Sequence, residues 1–229
     1  MELASIHWSY PPAALAKLIP DGLELDLYDG KAWLGILPFE VTNFHFLGLP
    51  QLPWISTFLE TNLRTYVRAR DGSTGVWFFS LDADRLFDVI GARLVFRLPY
   101  MWSAMRCERN GSEILYHHTR TWPGRPAAHS RVRVAIGEAI PPASVSDLEI
   151  FLSARWRLYS LIGGKLCYAQ VEHEVWPFHR AQILEIDQNL VTAAGVPPPK
   201  GEALVLYSPG VTAKVTLAKP VPNAARAAG

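Results

Sequence analysis

The side chains best suited to chemistry lie in one segment, residues 58–68. If this segment is a strand, alternate side chains share a face, so Glu60, Asn62, Arg64 and Tyr66 lie on one side and apolar residues on the other. A carboxylate, an amide, a guanidinium and a phenol in succession make a face rich in hydrogen-bonding groups. Directed into an enclosed barrel, this face predicts a site for a polar ligand. Directed outward, it predicts a cross-strand salt-bridge ladder.

Histidines can serve as metal ligands or general bases, and His173 is the candidate that the sequence offers. It lies in a Val-Glu-His-Glu-Val segment and shares a strand face with the two valines, a pattern more typical of a hydrogen-bonded core histidine. His117 and His118 are adjacent, so on a strand they point to opposite faces and do not bind one ion together. The sequence therefore predicts no metal and no cofactor, and His173 stays a candidate base or ligand contact.

Covalent catalysis needs an activated nucleophile, and the usual signatures are missing. There is no GxSxG motif of serine hydrolases, and the Tyr-Ser-Pro-Gly segment at 207–210 indicates a turn. Glycine-rich phosphate-binding signatures are also missing. A Schiff-base enzyme needs a lysine desolvated in a pocket, but each lysine lies beside a turn, at a helix or strand end, or on a polar face. The six lysines are Lys17, Lys31, Lys165, Lys200, Lys214 and Lys219.

The polar segment has to be held by a β-rich framework. The apolar segment 75–81 follows the Asp71-Gly72 turn, so it is the expected antiparallel partner of the polar strand. At least ten short strands are predicted in all, including a hairpin over 23–37 and a meander over 101–108, 113–122 and 130–138. The predicted helices are 11–19, 82–96 capped by Asp82, one ending at Gly163 and capped by Ser144 or Ser146, and a short one between Asp187 and Gly195. This pattern favours a mainly β (α+β) fold, either a barrel or a sandwich.

Composition limits the class of protein. Of the 229 residues, 49% are hydrophobic and 19% are charged, which favours a folded globular chain. We expect one domain over residues 1–219 and a flexible tail over 220–229, with residues 48–53 forming a loop. A net charge of +1 provides no electrostatic footprint for nucleic acid or an anionic membrane. Cys107 and Cys167 match no CxxC pattern, and no apolar run approaches the length of a membrane span, so we predict a cytoplasmic protein with reduced thiols.

Several motifs, in this order along the chain, resemble those of the YqjF-like bacterial family, which is grouped with the acetoacetate decarboxylase-like superfamily. The motifs are His-Trp at 7–8, Ile-Pro-Asp-Gly-Leu at 19–23, Asp-Gly-Lys-Ala-Trp at 29–33, Glu-Thr-Asn-Leu-Arg-Thr-Tyr at 60–66, Gly-Val-Trp-Phe-Phe-Ser-Leu at 75–81, Leu-Pro-Tyr at 98–100, Val-Glu-His at 171–173, Trp-Pro at 176–177 and Tyr-Ser-Pro-Gly at 207–210. The resemblance implies a closed antiparallel acetoacetate decarboxylase-like β-barrel with a central cavity and three or four peripheral helices. It also implies a homodimer or a larger homo-oligomer.

The resemblance also bears on the chemistry of the site. The decarboxylase uses two adjacent lysines in a Pro-Lys-Lys segment, and the similar stretch here has Tyr100 and Met101 after Pro99. This agrees with the contexts of the lysines described above. A glutamate of the decarboxylase corresponds to Glu60. The resemblance therefore implies that the cavity persists without amine chemistry.

The leading hypothesis is a barrel that binds a small anionic or carbonyl-containing molecule in a central cavity. Arg64 would pair with a ligand carboxylate, because its planar fork suits that group, and Glu60, Asn62, Tyr66, Tyr100 and His173 complete the expected site. An alternative is an enzyme that acts on a keto or carboxylate compound without an imine, with Glu60 or His173 as base and Tyr100 as proton donor. Another is a structural subunit in which the polar row is a buried salt-bridge network.

Overall fold

The computed structural model of the chain describes residues 2–42, 57–85, 97–122 and 126–222. The predicted loop over 48–53 and most of the predicted helix over 82–96 lie outside these ranges. Among the described residues, no helix combines the length and the apolar character that crossing a bilayer requires.

Fourteen strands and three short α-helices form the described part of the fold. The strands are β1 (Leu3–Tyr10), β2 (Leu23–Leu25), β3 (Ala32–Val41), β4 (Phe58–Ala69), β5 (Thr74–Ala83), β6 (Tyr100–Asn110), β7 (Glu113–Trp122), β8 (His129–Ala139), β9 (Arg157–Ile162), β10 (Lys165–His173), β11 (His179–Gln188), β12 (Leu204–Ser208), β13 (Ala213–Val215) and β14 (Lys219–Pro220). The helices are α1 (Pro12–Ala16), α2 (Asp147–Ser153) and α3 (Leu190–Ala193), and a 3₁₀ turn covers Pro142–Ser144.

Nine of these strands close into a barrel in the order β1, β3, β4, β5, β6, β7, β8, β11, β12 and back to β1. The β4–β5 pair and the β6–β7–β8 meander are antiparallel, as the sequence predicts. The barrel is mixed, however, and not wholly antiparallel, because β5 and β6 run parallel from Leu81 and Tyr100 onward. A parallel pair needs a crossover connection, which a two-residue turn does not provide.

The inside of the barrel is filled with apolar side chains. One contiguous cluster takes at least one side chain from each of the nine strands, which places it at the centre of the closed sheet. Its members include Ile6 of β1, Leu34 of β3, Leu63 of β4, Phe79 of β5, Cys107 of β6, Tyr116 of β7, Val132 of β8, Ile183 of β11 and Val205 of β12. Leu15 of α1 and Leu190 of α3 pack against the same cluster. We call this cluster the lumen core.

A second layer covers part of the outside of the barrel. Strand β9 pairs with β5 in parallel at Val76 and Leu158, and β10 extends the sheet from β9. Helix α2 packs with this extension, because Leu152, Leu158 and Ala169 share one apolar cluster with Tyr66 of β4. This second layer is the structure that encloses the polar residues of β4.

The structure corrects several predicted elements. Strands β2 and β3 do not form a hairpin, since both pair with the long β4, although a tight turn at Asp29 and Gly30 does separate them. The helix predicted to end at Gly163 ends at Ser153, and residues 157–162 form β9. Ser146 is its N-cap and completes a capping box with Glu149. The tail predicted to start at residue 220 overlaps β14.

Asp82 is not a helix cap. It lies in β5 with no exposed surface, and both of its carboxylate oxygens accept hydrogen bonds from Arg120, at 2.8 and 2.9 Å. Ser103 donates a third bond to the same carboxylate at 3.0 Å. An aspartate before a helix-like pattern is a common N-cap, so the local sequence favours that role. The buried ion pair is not visible locally, because Arg120 lies 38 residues further along the chain.

Candidate functional site

The polar row of β4 faces neither the lumen nor solvent. Leu63 belongs to the lumen core, and side chains of a strand alternate, so Asn62, Arg64 and Tyr66 point away from it. Glu60, Asn62 and Tyr66 are only 4%, 5% and 0% exposed. The expectation that this row lines a central cavity is therefore wrong for the described residues. Arg64 and Tyr66 lie between the barrel wall and α2.

Tyr66 links the barrel wall to α2. Its hydroxyl donates to the Leu152 carbonyl of α2 at 2.9 Å and lies 2.6 Å from Nε2 of His7 on β1. Burial raises the pKa of Tyr66, while burial first and the Arg64 charge second lower the pKa of His7 well below its usual value. Both groups are therefore neutral near pH 7. Ser5 continues the chain of contacts, with its hydroxyl 3.1 Å from Nδ1 of His7.

A glycine makes the contact between His7 and Tyr66 possible. His7 pairs with Gly35 of β3, and Gly35 pairs in turn with Arg64 of β4. A Cβ atom at Gly35 would lie 2.5 Å from Nε2 of His7, closer than real Cβ contacts allow. Glycine inside a strand often marks such a close approach. The imidazole can therefore cross β3 and reach the phenol.

Arg64 is the charged group of this site. Its half-buried guanidinium donates from Nη2 to the same Leu152 carbonyl at 3.3 Å, and its Nε is buried without a hydrogen-bond partner. Among the described residues, Arg64 takes part in no ion pair. The nearby Arg155, by contrast, is paired with the buried Asp26 at 2.6 Å. Arg64 therefore differs from Arg155 in having no carboxylate of the described residues within ion-pair distance.

A narrow cavity lies beside Arg64, between the barrel wall and α2. The centre of a water molecule can occupy about 10 Å³ of it, which is room for about one water. Ser5 and Leu37 contribute from the barrel wall, Glu149 from α2, and Trp176 from the connection between β10 and β11. The remaining lining residues are Leu3, Leu152, Ser153, Phe178 and Leu206. None of these ten lining residues is a lysine.

Two further members of the predicted site follow along β4. Glu60 accepts a hydrogen bond from the Tyr100 hydroxyl at 3.0 Å, so the structure brings these two predicted residues together. Asn62 lies between Glu60 and Arg64 on the same face, and its Oδ1 is buried without a hydrogen-bond partner. Tyr100, which the resemblance aligns with a decarboxylase lysine, thus donates its hydroxyl to Glu60.

His173 lies apart from this group. Its Nδ1 is 2.7 Å from the Glu174 carbonyl, and its ring packs between Trp156 and Trp176, with centroid distances of 6.2 and 5.5 Å. Trp176 lines the cavity, so His173 borders the site through that ring and does not contact β4 by a hydrogen bond. His173 is only partly buried, and Val175, two residues further along the chain, is 75% exposed, so His173 is not a core residue.

Three residues of the site had no strong sequence signal. Ser5 and His7 lie on one face of an N-terminal strand, and Gly35 interrupts an apolar one. The alternation of Ser5 and His7 and the isolated glycine were the available hints. Nothing local indicates that His7 meets a tyrosine 59 residues away.

Comparison with known proteins identifies the family of this chain. The model of the family DUF2071, described as an uncharacterized conserved protein, matches residues 1–212. The chain belongs to this family. A relative from Bacillus subtilis (strain 168), "Uncharacterized protein YqjF", is 39% identical over 203 residues, which cover 88% of this chain and 82% of the relative. The family that the motifs indicated is thereby confirmed.

Solved structures similar to this DUF2071 chain share its fold at low sequence identity. The enduracididine biosynthesis enzyme MppR, complexed with pyruvate, is 14% identical with a TM-score of 0.63, over 96% of this chain and 87% of that chain. An acetoacetate decarboxylase-like enzyme from Sphingomonas wittichii RW1 is 13% identical with a TM-score of 0.61, over 96% and 90%. The acetoacetate decarboxylase of Legionella pneumophila is 13% identical with a TM-score of 0.59, over 98% and 86%. The fold is acetoacetate decarboxylase-like.

The described residues contain no group of three or more His, Cys, Asp or Glu side chains placed to hold a metal ion. The side chains of the site are the Arg64 cation, a histidine and a phenol held neutral, a serine hydroxyl, the Glu149 carboxylate, and the Glu60–Tyr100 pair.

Proposed function

We propose that the protein binds a small carboxylate between Arg64 and α2. The observation that carries this proposal is the guanidinium of Arg64, which is half-buried, has a buried Nε without a partner and pairs with no anion of the described residues. A buried charge is costly unless it is paired. A carboxylate would accept the free Nε–H and neutralise the cation, and the guanidinium fork suits that planar group.

Binding requires α2 to move. The cavity has room for about one water, and Leu152 forms part of its wall while its carbonyl accepts bonds from both Arg64 and Tyr66. A carboxylate that takes over the Arg64 bond would release one of these two links. Because α2 has only seven residues, we propose that it acts as the cover of the site. The pyruvate complex of MppR supports a carboxylate ligand for this fold, since pyruvate is a small keto acid.

The test compares Arg64→Met with Arg68→Met. Arg68 lies on the same strand, but its side chain is 53% exposed and already paired with Asp26. Losing a charge-assisted hydrogen bond costs about 1.5–3 kcal/mol, so Arg64→Met should weaken carboxylate binding roughly ten- to a hundredfold. Titration calorimetry with propionate and pyruvate measures this. Equal affinity in the wild type and Arg64→Met would refute the proposal, while Arg68→Met should bind like the wild type.

The same variants separate ligand binding from the structural alternative. If the polar row were a buried salt-bridge network, removing Arg64 would cost about 3–5 kcal/mol of unfolding free energy. If Arg64 instead binds a ligand, the variant without ligand loses only the hydrogen bond to Leu152, which is worth about 1 kcal/mol of unfolding free energy. Urea denaturation without ligand measures the difference. Arg64 forms no ion pair with any of the described residues, which favours the smaller value.

A second candidate function is acid–base catalysis on the bound molecule, without an imine. The hydrogen bond between Tyr100 and Glu60 favours it, because a phenol and a carboxylate in contact can hold and transfer a proton. Under this hypothesis, Glu60→Gln abolishes turnover of a bound keto acid and leaves its affinity within about threefold, as followed by proton NMR. His173 is not part of this hypothesis, because its hydrogen bonds go to backbone carbonyls.

A further inference from the structure

The hydrogen bonds around His7 determine where its proton lies. The Leu152 carbonyl can only accept, so the single proton of the Tyr66 hydroxyl must point toward it. The Tyr66 oxygen is then an acceptor toward His7, which lies 2.6 Å away. Nε2 of His7 must therefore carry the proton. Since this histidine is buried and neutral, Nδ1 is left as an acceptor.

This proton arrangement also fixes the role of Ser5. Nδ1 of His7 accepts, so the Ser5 hydroxyl 3.1 Å away must donate to it. Ser5 lines the cavity beside Arg64, and no other side chain or backbone group of the described residues shares its hydroxyl. Toward the cavity, Ser5 therefore presents only oxygen lone pairs. One side of the site donates hydrogen bonds through Arg64, and the other can only accept them.

We propose that Ser5 and Arg64 together select a 2-hydroxy acid over the corresponding 2-keto acid. This inference rests on the proposed carboxylate site. The carboxylate pairs with Arg64, and the adjacent hydroxyl of the ligand donates to Ser5. A keto oxygen at the same place would face the Ser5 lone pairs as a second acceptor, and a polar group left unpaired in a closed site weakens binding.

The Ser5–His7 pair is poorly arranged for nucleophilic catalysis. A serine nucleophile passes its proton to the histidine, and a buried carboxylate usually stabilises the resulting cation. Here the other ring nitrogen faces the neutral Tyr66, and Arg64 lies nearby as a second positive charge. Protonating His7 is therefore unfavourable. A role in recognition fits the geometry better than a role as a base.

The test measures a ratio of affinities. Calorimetry with lactate and pyruvate should show that the wild type binds lactate about tenfold more tightly, the effect of one hydrogen bond. Ser5→Ala removes the acceptor, and Tyr66→Phe removes the phenol that holds the His7 proton on Nε2. Both variants should reduce the ratio to about one. Ser9→Ala is the control, because Ser9 lies on the same face of β1 but outside the cavity.

Three results would overturn the inference. In the first, the wild type binds pyruvate as tightly as lactate, and Arg64→Met lowers the affinity for both acids. The carboxylate site would then exist without the selectivity. The second is a ratio that survives Ser5→Ala. The third needs no ligand: nitrogen-15 NMR of the histidine rings that finds the proton of His7 on Nδ1. If the wild type binds neither acid nor propionate, the proposed function itself fails, and this inference fails with it.

Discussion

A pair of adjacent histidines allows a sharp test of how this barrel depends on pH. His118 of β7 is 1% exposed and its Nε2 is buried without a hydrogen-bond partner, whereas His117 lies on the opposite face of the strand and is only half-buried. Burial is the largest cause that lowers the pKa of His118 from 6.5 to about 4; the charge of Asp82 opposes it, and the charge of Arg120 adds to it. The two histidines share a local sequence and differ in environment.

The size and sign of the effect follow from this difference. In the unfolded chain His118 takes up a proton near pH 6.5, but in the folded protein it does so only near pH 4. Between these values the unfolded state binds more protons, so the free energy of unfolding falls as the pH is lowered. A difference of roughly 2.5 pH units at 1.36 kcal/mol per unit amounts to about 3 kcal/mol. The loss is complete below pH 4.

Urea denaturation of the wild type, His118→Gln and His117→Gln at several pH values between 7.5 and 4 measures this loss. We expect the wild type and His117→Gln to lose stability in parallel. His118→Gln should lose about 3 kcal/mol less over the same range. His7, whose pKa is also lowered by burial, supplies part of the remaining slope. Identical slopes for His118→Gln and the wild type would refute the reasoning.

Two further substitutions test other parts of the structure. Gly35→Ala should cost about 1–3 kcal/mol of unfolding free energy through overpacking and should break the His7–Tyr66 hydrogen bond. Gly75→Ala is the control, because its Cβ would also lie 2.5 Å from its nearest neighbour. It should lose similar stability but leave the His7 proton on Nε2, as observed in nitrogen-15 spectra. An intact bond in Gly35→Ala would contradict the described contact. Asp82→Asn breaks the buried pair with Arg120 and should cost about 3–5 kcal/mol in urea denaturation. A loss below about 1 kcal/mol would show that the pair is not buried as described.

The sequence alone determined the local features of this protein. The alternation of residues 58–68 is an intrinsic property of a strand, so it predicted correctly that Glu60, Asn62, Arg64 and Tyr66 share one face. The meander after residue 100 followed from its turns. The lysine contexts predicted that no amine lines the site. Each of these conclusions depends on residues that are close together in the chain.

Only the tertiary structure decided which face of β4 is the inner one. Alternation separates two faces but does not say which is enclosed by the barrel, and Leu63 packs there with side chains from the other eight barrel strands. Tyr66 of the polar face is buried against α2 and β9, elements that lie more than 80 residues further along the chain. The contact of His7 with Tyr66 and the pair of Asp82 with Arg120 also join residues that are far apart in the chain. Contacts over such separations depend on how the strands close into a barrel, and no local pattern of residues encodes that closure.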